Sequence, residues 1–150
     1  MLLYHGSNTY VENPKIITDG FNKDFGFGFY LTTIENQAKK WALTKRGEHI
    51  VNVYEYVRDD KLKLVEFSEM TEEWLDFIVS CRMGKKHEFD IVEGPMADDK
   101  IWNYIEDYVS GLITREAFWE LSKFRHPTHQ IAFCSNEALA CIKYIKGYKV

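Results

Sequence analysis

The chain is expected to fold as α+β, and three observations point there. Short β-prone segments are scattered among amphipathic helical ones without a strict strand–helix rhythm, which disfavours a doubly wound parallel sheet. Hydrophobic residues are 45% and charged residues 28% of the 150, enough apolar chain for a core, so disorder is excluded as the main state. The aromatic share is 15%, with 10 Phe, 9 Tyr and 4 Trp, and rings on that scale fill cores and line flat-faced ligand pockets.

The elements follow in order. Leu2 to Tyr4 reads as a short apolar strand, and a loop with a helical turn over Pro14 to Thr18 leads to Asp19-Gly20. Asp24-Phe25-Gly26-Phe27-Gly28-Phe29-Tyr30-Leu31-Thr32 is a glycine-broken loop running into a β-prone segment. Thr32-Thr33-Ile34-Glu35 has the form of a capping box, Thr32 as N-cap and Glu35 reaching back. The helix it opens sets Ala38, Trp41 and Ala42 on one face and Lys39, Lys40 and Lys45 on another, until Gly47 ends it. Ile50 to Tyr56 alternates as a strand does, and Leu62 to Phe67 reads as another. Thr71 to Met83 is a helix with Thr71 as cap, Glu72 and Glu73 in the first turn, and Leu75, Ile78 and Val79 inward. Phe89 to Glu93 is a strand broken by Gly94-Pro95, and helices over Asp99 to Val109 and Thr114 to Lys123 are parted by Ser110-Gly111. Gln130 to Cys134 is a strand, Ser135 caps a short helix to about Ile142, and Lys143 to Lys149 closes as an edge strand.

No internal repeat, low-complexity tract or Pro/Gly/Ser linker interrupts residues 1–150, so a single domain is expected, one that buries about 70% of its unfolded surface. The net charge is -4 and the pI about 5.7, so no whole-molecule field draws the chain to nucleic acid or an anionic membrane. Three cysteines, Cys81, Cys134 and Cys141, suit reduced thiols in a reducing compartment. The start at Met1-Leu2-Leu3-Tyr4-His5-Gly6 has no basic leader, and no segment approaches the roughly 20 apolar residues of a membrane helix. A cytoplasmic protein without a membrane partner is the expectation.

Several motifs invite chemistry. Gly26-Phe27-Gly28 lacks the preceding strand, third glycine and following helix of a dinucleotide-fold fingerprint. His126, His129, Cys134 and Cys141 lack the tight paired spacing of structural zinc, and both cysteines fall in apolar segments, so no metal site is expected. No G-x-S-x-G elbow or signature cysteine marks a hydrolase, and Ser7 beside His5 says little alone. Asp90, Glu93, Asp98 and Asp99 around Gly94-Pro95 could hold a metal or act as acid and base, though a solvated loop with Asp98 or Asp99 as helix cap explains most of them. The cations near Lys45-Arg46 and from Arg82 to Lys86 read as solvated helix ends.

Read together, Leu2-Leu3-Tyr4-His5-Gly6-Ser7, Asp19-Gly20-Phe21 and Phe25-Gly26-Phe27-Gly28-Phe29-Tyr30 resemble, in order and spacing, the catalytic domain of the poly-ADP-ribose polymerase and diphtheria-toxin class of ADP-ribosyltransferases. The resemblance covers the first forty or so residues, and the later chain looks closest to small stand-alone bacterial relatives. It implies a split mixed-to-antiparallel sheet with flanking helices and a His-Tyr-Glu type site for NAD as substrate. His5 would bond the adenosine-side ribose, the Gly6 backbone would pair with the nicotinamide carboxamide, and Ser7 would support that strand. Tyr30 would stack on the nicotinamide ring, with Trp41 on its other side where the family has tyrosine. Ala38 falls where polymerases place a carboxamide-binding serine.

The third family position, usually glutamate, is best matched by Gln130, with Glu93 and Glu137 competing for a carboxylate role. Glutamine can bond the ribose 2′-hydroxyl but cannot act as a base. The resemblance thus implies mono-ADP-ribosyl transfer to a macromolecular acceptor, protein or nucleic acid, rather than polymer synthesis. Such small transferases are often toxins or effectors with an inhibitor protein as neighbour. The alternatives are a catalytically silent module that binds NAD or ADP-ribose, and an NAD glycohydrolase. In each active reading the nicotinamide–ribose bond breaks through an oxocarbenium-like state, which asks for an aromatic clamp and electron density rather than a strong acid.

Overall fold

A computed structural model of the chain describes residues 1–18 and 22–150, so Asp19-Gly20-Phe21 lies outside the described residues. The order is β1 (Leu2–Ser7), β2 (Phe29–Leu31), α1 (Glu35–Leu43), β3 (Ile50–Tyr56), β4 (Leu64–Glu66), α2 (Glu72–Arg82), β5 (Ile91–Gly94), α3 (Asp99–Val109), α4 (Arg115–Leu121), β6 (Gln130–Phe133), α5 (Asn136–Leu139) and β7 (Ile142–Lys149). The fold is α+β. One sheet has the order β1-β3-β7 and is antiparallel; the other has the order β2-β6-β5-β4, antiparallel except for the parallel β4–β5 pair.

The two sheets pack face to face. Leu3, Tyr54 and Tyr56 of the first meet Phe29, Leu31, Ile131 and Phe133 of the second, with Tyr54 edge-on to Phe29 at 5.8 Å and Tyr56 edge-on to Phe133 at 5.4 Å. The outer face of the first sheet is covered by α1, through Ala38 and Ala42 on Val51. Helices α2, α3 and α4 cover the outer face of the second, setting Trp74, Leu75, Ile78, Ile101, Ile105 and Phe118 beside Val92 and Ala132. Each such fully buried side chain contributes about 1.5–3 kcal/mol. Side-chain caps hold four helices: the expected Thr71, Asp98 and Ser135, and in addition Thr114, each accept the N–H three residues on, at 2.9–3.2 Å, worth about 1 kcal/mol apiece.

Several elements differ from the expectation. Strand β1 continues to Ser7, since His5 and Ser7 pair with Asn52 and Ile50. Pro14 to Thr18 forms no helical turn; Ile17 bridges Gly28 instead. Thr32 does not cap α1. Its backbone is bonded both ways to Tyr4 (2.8 and 3.0 Å), so the helix starts at Glu35 with Ile34 as N-cap, and Thr32 Oγ1 accepts the Ile34 N–H. The Glu35 carboxylate accepts from the Tyr148 hydroxyl of β7 rather than reaching back. Strand β4 is shorter than Leu62 to Phe67, and α5 ends at Leu139 because the chain turns into β7.

Candidate functional site

Among the described residues the two sheets are joined near their first strands by the bridge between Tyr4 and Thr32. Hydrogen-bond direction alternates along an antiparallel strand. Because Tyr4 bonds Thr32, the N–H and C=O of Gly6, two residues on, also turn away from β3. In the register that the bridge sets, Gly6 lies across from Tyr30, where β1 and β2 part as a fork.

His5 occupies that fork. Its Nδ1 lies 2.7 Å from the Tyr30 carbonyl oxygen and its ring packs on Phe29 at 4.4 Å between centroids. The carbonyl only accepts, so Nδ1 carries the proton and Nε2 of the neutral ring is left as an acceptor. Burial pushes the His5 pKa down to about 4, with a smaller opposing pull from the Tyr30 carbonyl and minor lowering by Lys45 and Lys23, so the ring is neutral at pH 7.

Gly6 is where α1 comes closest. A Cβ there would lie 2.2 Å from the Ala38 carbonyl oxygen, 2.6 Å from the Ala42 nitrogen and 2.9 Å from Trp41 Cβ. Only glycine lets α1 seat on β1, and that seating puts half-buried Trp41 beside the fork. Ser7 closes the strand, its Oγ accepting from the Thr9 N–H at 3.3 Å.

Tyr30 is half-buried, and its hydroxyl is tied to the loop before it. The oxygen accepts from the Phe25 N–H at 3.0 Å and donates to the Gly26 carbonyl at 2.5 Å. Gly26 has φ +80°, a left-handed conformation that brings its carbonyl round to the phenol. Burial holds the phenol far above its ordinary pKa, so it stays protonated. The Lys23 ammonium sits 5.3 Å from the ring centroid, a cation over the aromatic face.

Gln130 opens β6. Tyr30 pairs with Ala132, so Gln130, two residues earlier, shares the Tyr30 side of the sheet. It is 4% exposed, and its Nε2 donates to Asp24 Oδ2 at 3.0 Å. Asp24, equally buried, also accepts from the Ala97 N–H on Oδ2 at 2.9 Å and from Arg82 Nε and Nη2 on Oδ1 at 2.9 and 2.6 Å. The guanidinium lies 4.0 Å over the Trp102 ring. The carboxylate at this position is therefore Asp24, and four donors already occupy it.

The other carboxylates are placed elsewhere. Glu93 Oε1 accepts from His129 Nε2 at 2.7 Å, while His129 Nδ1 accepts the Thr33 N–H at 3.1 Å. Gln37 of α1 clamps the His129 backbone on both its N–H and C=O. Glu137 is exposed in the first turn of α5, at the far end of β6 from Gln130. Asp90 is held below its usual pKa by bonds from the Ser135 hydroxyl and the Lys63 N–H, and Asp98 caps α3. The structure thus gathers His5, Gly6, Tyr30 and Trp41 at the fork, with Gln130 on the Tyr30 face but tied inward. Sequence reasoning missed Asp24, Arg82 and Gln37. An acidic residue inside an aromatic, glycine-rich loop was the available signal for Asp24.

A family model described as "Protein of unknown function (DUF3990)" matches residues 1–144. The chain belongs to that family. The DUF3990 match runs from β1 into β7, so it takes in both the fork and the Asp24 ion pair. No curated protein and no solved structure matches the chain.

Proposed function

We propose that the chain is an NAD-dependent mono-ADP-ribosyltransferase acting on a macromolecular target, with the fork between β1 and β2 as its donor site. The observation that carries this reading is the fork: Gly6 turns one donor and one acceptor toward Tyr30, beside a neutral His5 whose Nε2 accepts. A primary carboxamide offers the complementary donor and acceptor in one plane. Trp41 lies beside Gly6 and Tyr30 across from it, and aromatic faces suit a cationic pyridinium ring. His5 Nε2 would accept from a ribose hydroxyl, and a pKa of about 4 keeps it a fixed acceptor across the neutral range.

In the reaction the bond from ribose C1′ to nicotinamide nitrogen breaks, nicotinamide leaves with the electron pair, and C1′ bonds an acceptor nucleophile whose proton passes to solvent. The chain supplies a held geometry and electron density near C1′. Gln130 brings the uncharged Oε1 on the Tyr30 face. That same observation favours a second reading, a silent module that binds NAD or ADP-ribose without cleaving it, because the glutamate of the resembled class is replaced by an amide tied to Asp24.

The test is nicotinamide release from NAD by the purified chain, with Tyr30→Ala alongside. Release that the variant loses supports the transferase. Saturable NAD binding without release, with or without candidate acceptors, supports the silent module. Absence of binding overturns both.

A further inference from the structure

A hollow of about 420 Å3 is lined in part by Gly26 and Phe27 of the loop that ties Tyr30. Phe27 and Phe89 give it aromatic walls, Lys85 and Lys86 stand in its lining with His87, and Cys81 is buried within it. Its described lining contains cations and no carboxylate. Four other hollows each carry Asp or Glu: Glu69 and Asp98 in one, Glu106, Glu137 and Asp98 in the rest. In a chain of net charge -4, a cavity walled by rings and lysines, with no acid among its described lining residues, favours an anionic, flat ligand. Its volume falls in the range of small-molecule sites, at the end suited to a small ligand.

We propose that this hollow binds a mononucleotide, its base against Phe27 and Phe89 and its phosphate at Lys85 and Lys86. Asn22 donates its Nδ2 to the Arg82 carbonyl at 3.3 Å, which leaves Oδ1 as an acceptor for the exocyclic amino group of an amino-bearing base such as adenine. The His87 ring is fixed at both nitrogens: Nε2 donates to the Phe25 carbonyl at 2.8 Å and Nδ1 accepts the Phe89 N–H at 3.1 Å. It therefore forms a rigid wall. Gly26 also lines the hollow, and its carbonyl holds the Tyr30 hydroxyl, so an occupant bears on the loop that positions Tyr30. The inference does not depend on the donor-site reading, since no fork residue lines the hollow.

The experiment is calorimetric titration of the full chain with adenosine 5′-monophosphate, with adenosine and inorganic phosphate as separate probes. The variants are the double Lys85→Ala/Lys86→Ala, both positions being exposed, and His5→Ala, each shown by its thermal melt to be folded at the titration temperature. Saturable binding of the monophosphate is expected, with each fragment alone weaker by about tenfold or more. The lysine double variant weakens it by about tenfold or more, and His5→Ala leaves it unchanged. Failure to saturate at millimolar ligand overturns the proposal, as does an unaffected lysine variant. So does phosphate or adenosine binding as tightly as the nucleotide, or loss on His5→Ala, which would place the nucleotide at the fork.

Discussion

On the two sides of β2 the polar groups have opposite fates. At the fork, Gly6 turns a donor and an acceptor away from β3 and toward Tyr30, and His5 keeps one ring nitrogen as an acceptor. Behind β2, Asp24 takes four N–H donors, Arg82 is stacked as well as paired, and Gln130 gives its amide to the same carboxylate. A satisfied buried network fixes a loop in place, whereas groups left facing a gap are where a ligand gains affinity. The difference gives the holding of the Tyr30 loop to Asp24 and, on the proposed reading, binding to His5 and Gly6, although the resembled family would put its key polar residue at Gln130.

The strongest way to break that contrast is Asp24→Ala. It leaves the Arg82 guanidinium, the Gln130 amide and the Ala97 N–H without their acceptor, and removing one partner of a buried pair costs about 3–5 kcal/mol. In a chain of this size that lowers the melting temperature by about 10 °C. A drop of only a degree or two would mean the pair contributes little and the loop is held by other contacts.

How far the sequence disclosed this contrast follows from the range of the interactions. Helix α3 over Asp99 to Val109 and the caps at Thr71, Asp98 and Ser135 were legible because capping and helical periodicity are written within a few residues. Thr32 misled for the converse reason. Its local pattern reads as a cap, but its backbone is taken by Tyr4, 28 residues earlier, and Glu35 is drawn to Tyr148. His5, Gly6 and Tyr30 stood out through an ordered motif. The Asp24–Arg82 pair spans 58 residues and the Gln130–Asp24 bond 106, separations that no local pattern encodes.

Acid tests the fork side. Burial lowers the folded His5 pKa to about 4 from 6.5, so the unfolded chain binds the extra proton first as pH falls. The neutral ring's contribution is complete above pH 6.5 and is lost progressively toward pH 4, by on the order of 2–3 kcal/mol. Unfolding in urea at a series of pH values should show that slope, and His5→Gln should flatten it. A slope that survives the substitution belongs to another group.

Gln130→Glu sharpens the clamp side. It replaces the donor to Asp24 with a second carboxyl, so two acids share one buried site and one of them is pushed up in pKa. A carboxyl whose folded pKa is raised loses stability as pH rises through that value. The variant should therefore be destabilised by about 2 kcal/mol at pH 8 and by less at pH 5. Equal destabilisation at both values would show that the side chain turns away from Asp24. In that case it faces the ligand side, and its effect on nicotinamide release becomes the measure of a catalytic carboxylate.

The smallest expected effect separates the ring of Tyr30 from its hydroxyl. The hydroxyl links β2 to the loop through Phe25 and Gly26, and the ring faces the Lys23 ammonium. Tyr30→Phe removes the link and leaves the Phe25 N–H without its acceptor, a loss of about 1 kcal/mol, while the aromatic face remains. If the face does the binding, Tyr30→Phe keeps NAD affinity and most nicotinamide release, whereas Tyr30→Ala loses both. If the two substitutions are equally damaging, the placed loop matters rather than the stack. The fork would then depend on the clamp behind β2, and Asp24→Ala should impair NAD binding at a temperature where the variant is still folded.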